Sequence, residues 1–423
     1  MVVGGGGREH AMAWALARSS RVGRVLVAPG NPGTAAEPKC TNVGISAGDI
    51  EGLVAMARRE AVSLVAVGPE DPLVKGLVDR LDTAGVAAFG PSAAAARLEG
   101  SKVHCKQFLL EHGIATGSAA SFGDAGEALA HLADLDAVPV VKASGLAAGK
   151  GVVVADTIDE AADAIRSILL DRRFGDAGSE VLLEERLFGT EVSILAFCDG
   201  THFRLMPAAQ DHKRLLVGDD GPNTGGMGAF HPSPIADQDL LAQIGNDVIA
   251  PTLAGLAAQD RPYRGVLYAG MMLTADGPKV IEFNCRFGDP ETQVVLPLLD
   301  SDLFEIFEAC VEGRLQELRI DWADKASVSV VMASRGYPAN SSEPQPITGL
   351  DRADGLGCKV FHAGTSDIDG VVHATGGRVL AVTSVASSLS DAADTAHQGI
   401  AAISFVGAQH RADIARSRTE RRS

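Results

Sequence analysis

Residues 279–293 read KVIEFNCRFGDPETQ and gather a carboxylate, a carboxamide, a guanidinium and two further acids between Glu282 and Glu291. Val280, Ile281 and Phe283 favour a strand. Alternation along a strand puts Glu282 and Asn284 on one face, with Ile281, Phe283 and Cys285 packing on the other. Two hard oxygen ligands on one face suit Mg2+, which completes its shell with phosphate oxygens and water; Mn2+ is the alternative metal. Arg286, Asp289 and Glu291 follow in a Gly-Pro turn, where they can orient charged substrates. A strand with a solvated polar edge would show the same Glu-x-Asn pattern, so its neighbours in the fold decide between the two.

Three glycine-rich stretches precede it. SGLAAGKG at 144–151 is almost free of side chains, so its amides can donate to phosphates while Lys150 supplies charge; a plain hairpin turn has no use for so long a run. GPNTGGMG at 221–228 closes a loop over 210–228, a length that implies function or disorder. That loop carries Lys213, a substrate or phosphate contact, while His212 has too weak a setting for a catalytic base. The third stretch, glycines 4–7, separates an apolar stub from a helical pattern over 8–17, and strand, glycine turn and helix together present amides to a phosphate. The acid of a dinucleotide fingerprint is not evident after the next strand, where the chain reads APGNPGT.

The elements that must hold these groups follow from periodicity. Strands over 24–28, 63–67 and 86–89 alternate with helices over 49–59 and 73–84, which predicts an open parallel sheet. Ligands gather at the carboxyl ends of such strands, so Asn31, Glu70 and the 4–7 loop can converge on one substrate; Glu70 equally suits a helix cap beside Pro72. From about residue 100 the pattern becomes a helix over 101–112, strands over 138–142, 181–183, 191–198, 203–208 and 265–273, and a helix over 237–257. Lys102 and Lys106 on the first of these helices read as surface lysines by position alone. From about residue 325, short strands and one helix over 388–403 predict a small mixed lobe. The fold class is α/β, with a parallel α/β domain over 1–100, a module of two α+β lobes over 101–325, and a small mixed α+β lobe over 326–423 that ends in a basic tail.

Composition narrows the function. The formal charge of −17 over 423 residues argues against a nucleic-acid partner. Aromatics are only 4% of the chain, so Ala, Val and Leu must fill the cores. Six cysteines show no Cys-x-x-Cys pair and read as free thiols of a reducing compartment. No uninterrupted apolar run reaches ~18 residues and the start lacks a signal-like segment, so no membrane partner and a cytoplasmic location are expected.

GGREHA, APGN, VGPE, FGPS, EGSK, GLAAGKG, QDHKR, GPNTGGMG and EFNCRFGDPETQ occur in an order that resembles the ATP-grasp ligases and, among them, the glycinamide ribonucleotide synthetase family, from about residue 2 to 382. The resemblance makes 101–325 the ATP-grasp module and implies that ATP is held by Lys106, Lys142, the loop residues Ser144, Gly145, Gly149, Lys150 and Gly151, the linker residues Glu184, Glu185 and Leu187, and Glu191. It places Mg2+ on Glu282 and Asn284. Gly6, Arg8, Glu9, His10, Asn31 and Glu70 would serve 5-phosphoribosylamine. Asp211, Asn223, Thr224, Gly225, Gly226 and Met227 complete the substrate contacts, with Asp211 facing the glycine ammonium, and Lys213, Arg286, Asp289 and Glu291 act on the reacting groups. The implied reaction joins glycine to 5-phosphoribosylamine through glycyl phosphate, with a monomer expected. The chain departs from the family at Ser144, where Asp is usual, at Thr375 before Gly-Gly-Arg, and in a missing Lys-Gly pair after Gly-Tyr-Pro; catalysis is expected not to depend on the positions in the last lobe. Its first strand is shorter than the family's. Another ATP-grasp carboxylate ligase, or an ATP-binding protein without catalysis, would share much of this pattern.

Overall fold

The computed structural model describes residues 1–147, 149–340 and 342–416; Ala148 of the glycine loop and the basic tail from 417 lie outside them. Strands β1 (Val2–Gly4), β2 (Val25–Pro29), β3 (Cys40–Asn42), β4 (Val65–Val67) and β5 (Ala88–Phe89) form the first sheet in the order β3-β2-β1-β4-β5, with every pair parallel. Val2, Val3, Val65 and Ala66 are completely buried, as central strands covered on both faces require. The helix expected over 73–84 is two helices, Glu70–Val74 and Leu77–Thr83, because Gly76 between them sits at φ 84°, a left-handed conformation that ends a helix. Helices Pro32–Ala36 and Ala93–Gly100 and strand β3 were not expected.

Two antiparallel sheets follow. Ala119–Phe122, Val181–Glu184, Val140–Ala143 and Val152–Val154 lie side by side in that order, and helices Ala125–Ala133 and Ile158–Leu169 pack with them in one apolar cluster. Phe203–Leu205, Thr190–Asp199, Arg264–Thr274 and Gly277–Asn284 make the other. Against it packs the helical stretch Gln238–Ala258, the one helix among the described residues long and apolar enough by composition to cross a membrane. Its Ile244, Val248, Ile249, Leu253 and Leu256 are at most 2% exposed within the same core as the sheet, which gives its apolar face a partner in the fold.

The strand over 277–284 departs from simple alternation. Gly270 pairs with Glu282 but Met271 pairs with Val280, so Ile281 is the extra residue of a bulge. Val280, Phe283 and Cys285 are buried while Ile281 is only half-buried. The expected inward Ile281 is thus replaced by Val280, and the bulge lets Glu282 and Asn284 keep their common face.

The 210–228 loop is also ordered. It holds strands Gln210–Asp211, Arg214–Leu216 and Asp220–Asn223, the last two forming a hairpin whose turn residues Gly218 and Asp219 take positive φ. Such short strands broken by left-handed positions carry too little periodicity to show in sequence. Gln210–Asp211 and Gly228–His231 then join Ala326–Ala333, Arg378–Ala386 and Lys359–His362 in one antiparallel sheet. The last lobe therefore shares its sheet with the segment that carries the second glycine loop.

Candidate active site

Glu282 is where the parts meet. Its carboxylate makes no ion pair or side-chain hydrogen bond among the described residues. Burial alone would raise its pKa, but Lys213, Lys142, Lys102 and Arg286 outweigh burial and hold it below the usual carboxylate range. Two residues on, Asn284 Oδ1 accepts from the Arg286 guanidinium at 3.1 Å and keeps a second lone pair. A charged, unpaired carboxylate beside an amide oxygen fits a divalent cation that takes its remaining ligands from phosphate and water. No cluster of three or more His, Cys, Asp or Glu suited to a metal occurs among the described residues.

The first cluster around Glu282 is cationic. Lys106 and Lys142 both pair with Glu184, and all three are at most 5% exposed. Lys106 also donates to the Gly117 carbonyl at 2.8 Å, and Lys142 to the Ile281 carbonyl at 3.3 Å, which ties the sheet containing Val140–Ala143 to the Glu282 strand. Burial lowers the Lys106 pKa, against the pull of Glu184. Lys102, one turn before Lys106 on helix Lys102–Glu111, donates to the Gly145 carbonyl at the base of the glycine loop. Burial depresses its pKa too, with Glu282 opposing. The surface reading of both lysines fails: Lys106 is buried, and Lys102, one turn earlier on the same face, is half-buried against the loop base. The loop base is further stapled to this helix by Lys102 N–H to the Ser144 carbonyl (2.7 Å) and by the Ser101 and Ser144 hydroxyls (3.0 Å). Gly145 N–H donates to the Ala177 carbonyl at 2.8 Å. Gly149 takes φ 74°, the Gly151 carbonyl accepts from Ala143 N–H, and Lys150 projects outward.

The linker residues turn to different neighbours. Glu184 faces the two lysines, Glu185 accepts from Ser118 N–H at 3.0 Å, and Leu187 is half-buried. Glu191 pairs with Lys213 at 2.9 Å.

The second cluster is acidic. Ser193 Oγ lies 2.8 Å from Tyr268 Oη, 3.1 Å from Glu291 Oε1 and 3.4 Å from Asp211 Oδ1, so its single proton serves one of the two acids at a time. Burial and the neighbouring Asp211 push Glu291 up to about 6. Burial raises Asp211 as well, with Lys213 opposing, and Lys213 is held cationic by Tyr268, Asp211 and Glu191 against its own burial. Two acids bridged by a hydroxyl beside a lysine can receive an ammonium and a carboxylate together. Ser193 and Tyr268 were missed, although Ser193 stands two residues beyond Glu191 on one strand and so shares its face.

The third cluster joins the first domain to the last lobe. Arg8 pairs with Glu9 at 2.7 Å and donates to the Phe287 carbonyl, and Glu9 Oε2 accepts from Gly6 N–H. Arg286 bridges Glu70 and Glu99, each at 3.1 Å. Glu70 falls to about 2, the Arg286 and Arg8 charges overcoming burial, whereas burial pushes Glu99 up to about 7 against Arg286. Asp289 accepts from Gln293 at 2.7 Å and pairs at 3.4 Å with Arg378 of the last lobe, which also donates to the Asp289 and Gly225 carbonyls. The other Gln293 amide atom, Oε1, is buried without a partner. Arg378 and Gln293 were missed; the Gly-Gly-Arg run was the available signal for Arg378.

Several expected contacts are committed elsewhere. Asn31 caps helix Pro32–Ala36 through Oδ1 and gives its amide hydrogens to the Gly5 and His362 carbonyls. Both His10 ring nitrogens are used, one against Glu37 and one accepting from His362 N–H. Met227 is completely buried, and its carbonyl accepts from Val331 N–H of the last lobe's sheet at 3.0 Å. Thr224 folds back onto the Lys213 carbonyl, and Asn223 is an exposed hairpin residue. Gly225 N–H meets Tyr337 Oη at 2.9 Å, and a Cβ on Gly226 would stand 2.5 Å from the Pro290 ring, so these glycines permit close packing of the lobes.

A parallel α/β domain, two antiparallel α+β lobes facing a buried lysine cluster, and a third small lobe define an ATP-grasp protein. The biotin carboxylase domain of 2-oxoglutarate carboxylase from Hydrogenobacter thermophilus, solved with MgADP and bicarbonate, has this fold: TM-score 0.70 over 97% of this chain and 91% of that one, at 14% identity. Family models of phosphoribosylglycinamide synthetase match residues 1–99 (N domain), 100–292 (ATP-grasp domain) and 327–417 (C domain), and the chain belongs to that family. It is 50% identical over 416 residues to the phosphoribosylamine–glycine ligase of Xanthomonas campestris, covering 98% of this chain and 96% of the relative. It is 51% identical over 417 residues to the trifunctional purine biosynthetic protein adenosine-3 of Bos taurus, where 98% of this chain spans 41% of the relative's length. The structure of phosphoribosylamine–glycine ligase from Thermotoga maritima shares a TM-score of 0.85 at 30% identity, over 98% of this chain and 99% of that one.

Proposed function

We propose that this chain joins glycine to 5-phosphoribosylamine at the expense of ATP, giving glycinamide ribonucleotide, ADP and phosphate, as a cytoplasmic monomer with domains over 1–100, 101–325 and 326–423. The names of its relatives support the substrates. The observation that carries the chemistry is the unpaired Glu282 carboxylate ringed by Lys102, Lys142, Lys213 and Arg286.

A carboxylate is a poor electrophile, so glycine must first be activated as glycyl phosphate. Lys102, Lys106 and Lys142 spread positive charge where a triphosphate would lie, and Glu184 holds two of them in place before ATP arrives. Glu282 and Asn284 would hold Mg2+, or Mn2+, which supplies charge neutralisation on the transferring phosphate. Lys213 offers a cation to the glycine carboxylate, and Asp211 with Glu291 receives its ammonium. The amine of phosphoribosylamine, held from the Asp289–Arg378 side, attacks the acyl carbon; the phosphate leaves, and the amine surrenders a proton that Glu291 can take. The 144–151 loop, stapled at its base and exposed at Gly149 and Lys150, can close to keep water from the acyl phosphate.

The test is phosphate release with ATP, Mg2+, glycine and freshly prepared phosphoribosylamine, each omitted in turn. Release that needs all four supports the reading; release indifferent to glycine or to the amine overturns it. Lys142→Ala should weaken ATP binding about tenfold or more, the scale of one charge-assisted hydrogen bond, and calorimetric titration with unchanged affinity would remove Lys142 from the nucleotide. Since Glu291 stands at about 6, its carboxylate is lost as pH falls below that value, so kcat/KM should decline on an acid limb near pH 6. A Glu291→Gln variant whose residual activity keeps that limb would assign it to another group.

A further inference from the structure

The hairpin that carries the acid-side contacts into the site is poorly buried. Leu216 and Val217 are 49% and 50% exposed, and a two-stranded hairpin without an apolar face is marginal in water. What holds it comes from the far end of the chain. Arg411 is completely buried, and its guanidinium grips Asp413 by two parallel bonds of 2.9 and 2.8 Å. The same group donates to Asp219 Oδ1 at 2.7 Å and the Arg214 carbonyl at 3.0 Å, and lies 3.2 Å from His212 Nδ1. Asp413 Oδ2 in turn accepts from Gly218 N–H at 2.9 Å. One arginine and one aspartate therefore seize the start of the hairpin at Arg214, its turn at 218–219, and the ring of His212. Lys213 lies between two gripped residues, Asp211 is one further on, and Thr224 at the hairpin's other end closes on the Lys213 carbonyl.

We propose that Arg411 is a positioning residue for the ligation step: with Asp413 it fixes the 214–223 hairpin, and through it Lys213 and Asp211, so the C-terminal segment sets the affinity for the acid substrate without touching it. The planar fork is what makes five contacts possible, and Lys could not reproduce them. This rests on the ligase reading, and it assigns the last lobe a part in catalysis that its sequence did not suggest.

The experiment compares wild type, Arg411→Lys and Asp219→Gly by initial rates varied in glycine and in ATP, direct ATP binding, melting temperature, and hydrogen exchange of peptides covering 211–224. Asp219 is 62% exposed and sits at φ 59°, so glycine removes the carboxylate without straining the turn, and this variant keeps the test open if Arg411→Lys fails to fold. KM for glycine should rise about tenfold for Arg411→Lys, the scale of losing one charge-assisted bond, and less for Asp219→Gly. The ATP dissociation constant should stay within about twofold, and exchange should quicken in the hairpin alone. Folded variants with unchanged glycine KM and unchanged hairpin exchange overturn the proposal, as does an equal loss of glycine and ATP affinity alongside a general fall in protection. A wild-type chain that releases no glycine-dependent phosphate overturns the ligase reading and takes this role with it; an active wild type with indifferent variants overturns the role of Arg411 alone.

Discussion

Replacing Glu282 by Gln is expected to slow phosphoryl transfer by about a hundredfold or more while leaving the fold intact. The side chain keeps its shape, so packing beside the Ile281 bulge should not change. What disappears is a carboxylate tied to no ion pair among the described residues, the charge that Lys102, Lys142, Lys213 and Arg286 hold ionised, and the loss of one preorganised electrostatic contact has this scale. Removing it makes the site more cationic by one charge, which favours ATP alone and disfavours Mg2+. The readout is therefore two-sided. ATP should bind the variant as well as or better than wild type without metal, whereas the gain in ATP affinity that Mg2+ gives wild type should shrink. High Mg2+ should recover part of the rate. Melting temperature with ligands absent should fall modestly, because the fold stabilises this charge through the surrounding cations, so rates are compared at a temperature where the variant stays folded. An unaltered Mg2+ dependence of both binding and rate would remove Glu282 from the metal site.

The common face of Glu282 and Asn284 was legible in sequence because its information is local. Glu282, Asn284, Arg286, Asp289 and Glu291 lie in one short run, and strand alternation survives where it matters, even though the bulge exchanges Val280 for Ile281 on the inner face. The parallel sheet was legible for the same reason: each strand-turn-helix unit repeats a period. What sequence could not show is contact across lobes. Arg378 and Arg411 stand 89 and 192 residues from the carboxylates Asp289 and Asp219, and neither lies in a periodic pattern that announces a partner. Lys102 failed for a different reason. Its position on a helix face is readable, but whether that face is covered depends on the glycine loop folding over it. His10 and Asn31 show the same limit from the other side: they sit beside a phosphate-type turn, and what sequence could not show is that their polar atoms also hold the last lobe against the first.

The same distinction sets the expectation for Arg378. It is the last lobe's only described side chain paired with Asp289, and it gives two further bonds to the Gly225 and Asp289 carbonyls, so it ties the second glycine loop to the turn after Glu282. Both side chains are under a quarter exposed, at 22% and 16%, and breaking a desolvated pair of this kind leaves an uncompensated charge behind. Arg378→Ala should therefore lower kcat/KM for the amine by about a hundredfold, with ATP binding within about threefold of wild type. Asp289→Asn should fall on the same side, lowering turnover while sparing ATP. If the two residues act as one unit, the double variant should be no worse than about the poorer single one, because the second substitution removes a partner already idle. Losses that multiply in the double variant would mean that each acts on a different substrate group, and a matching loss of ATP affinity in Asp289→Asn would move that carboxylate to the metal side. Either outcome is read from the same three proteins in one phosphate-release series, with ATP binding measured separately by titration.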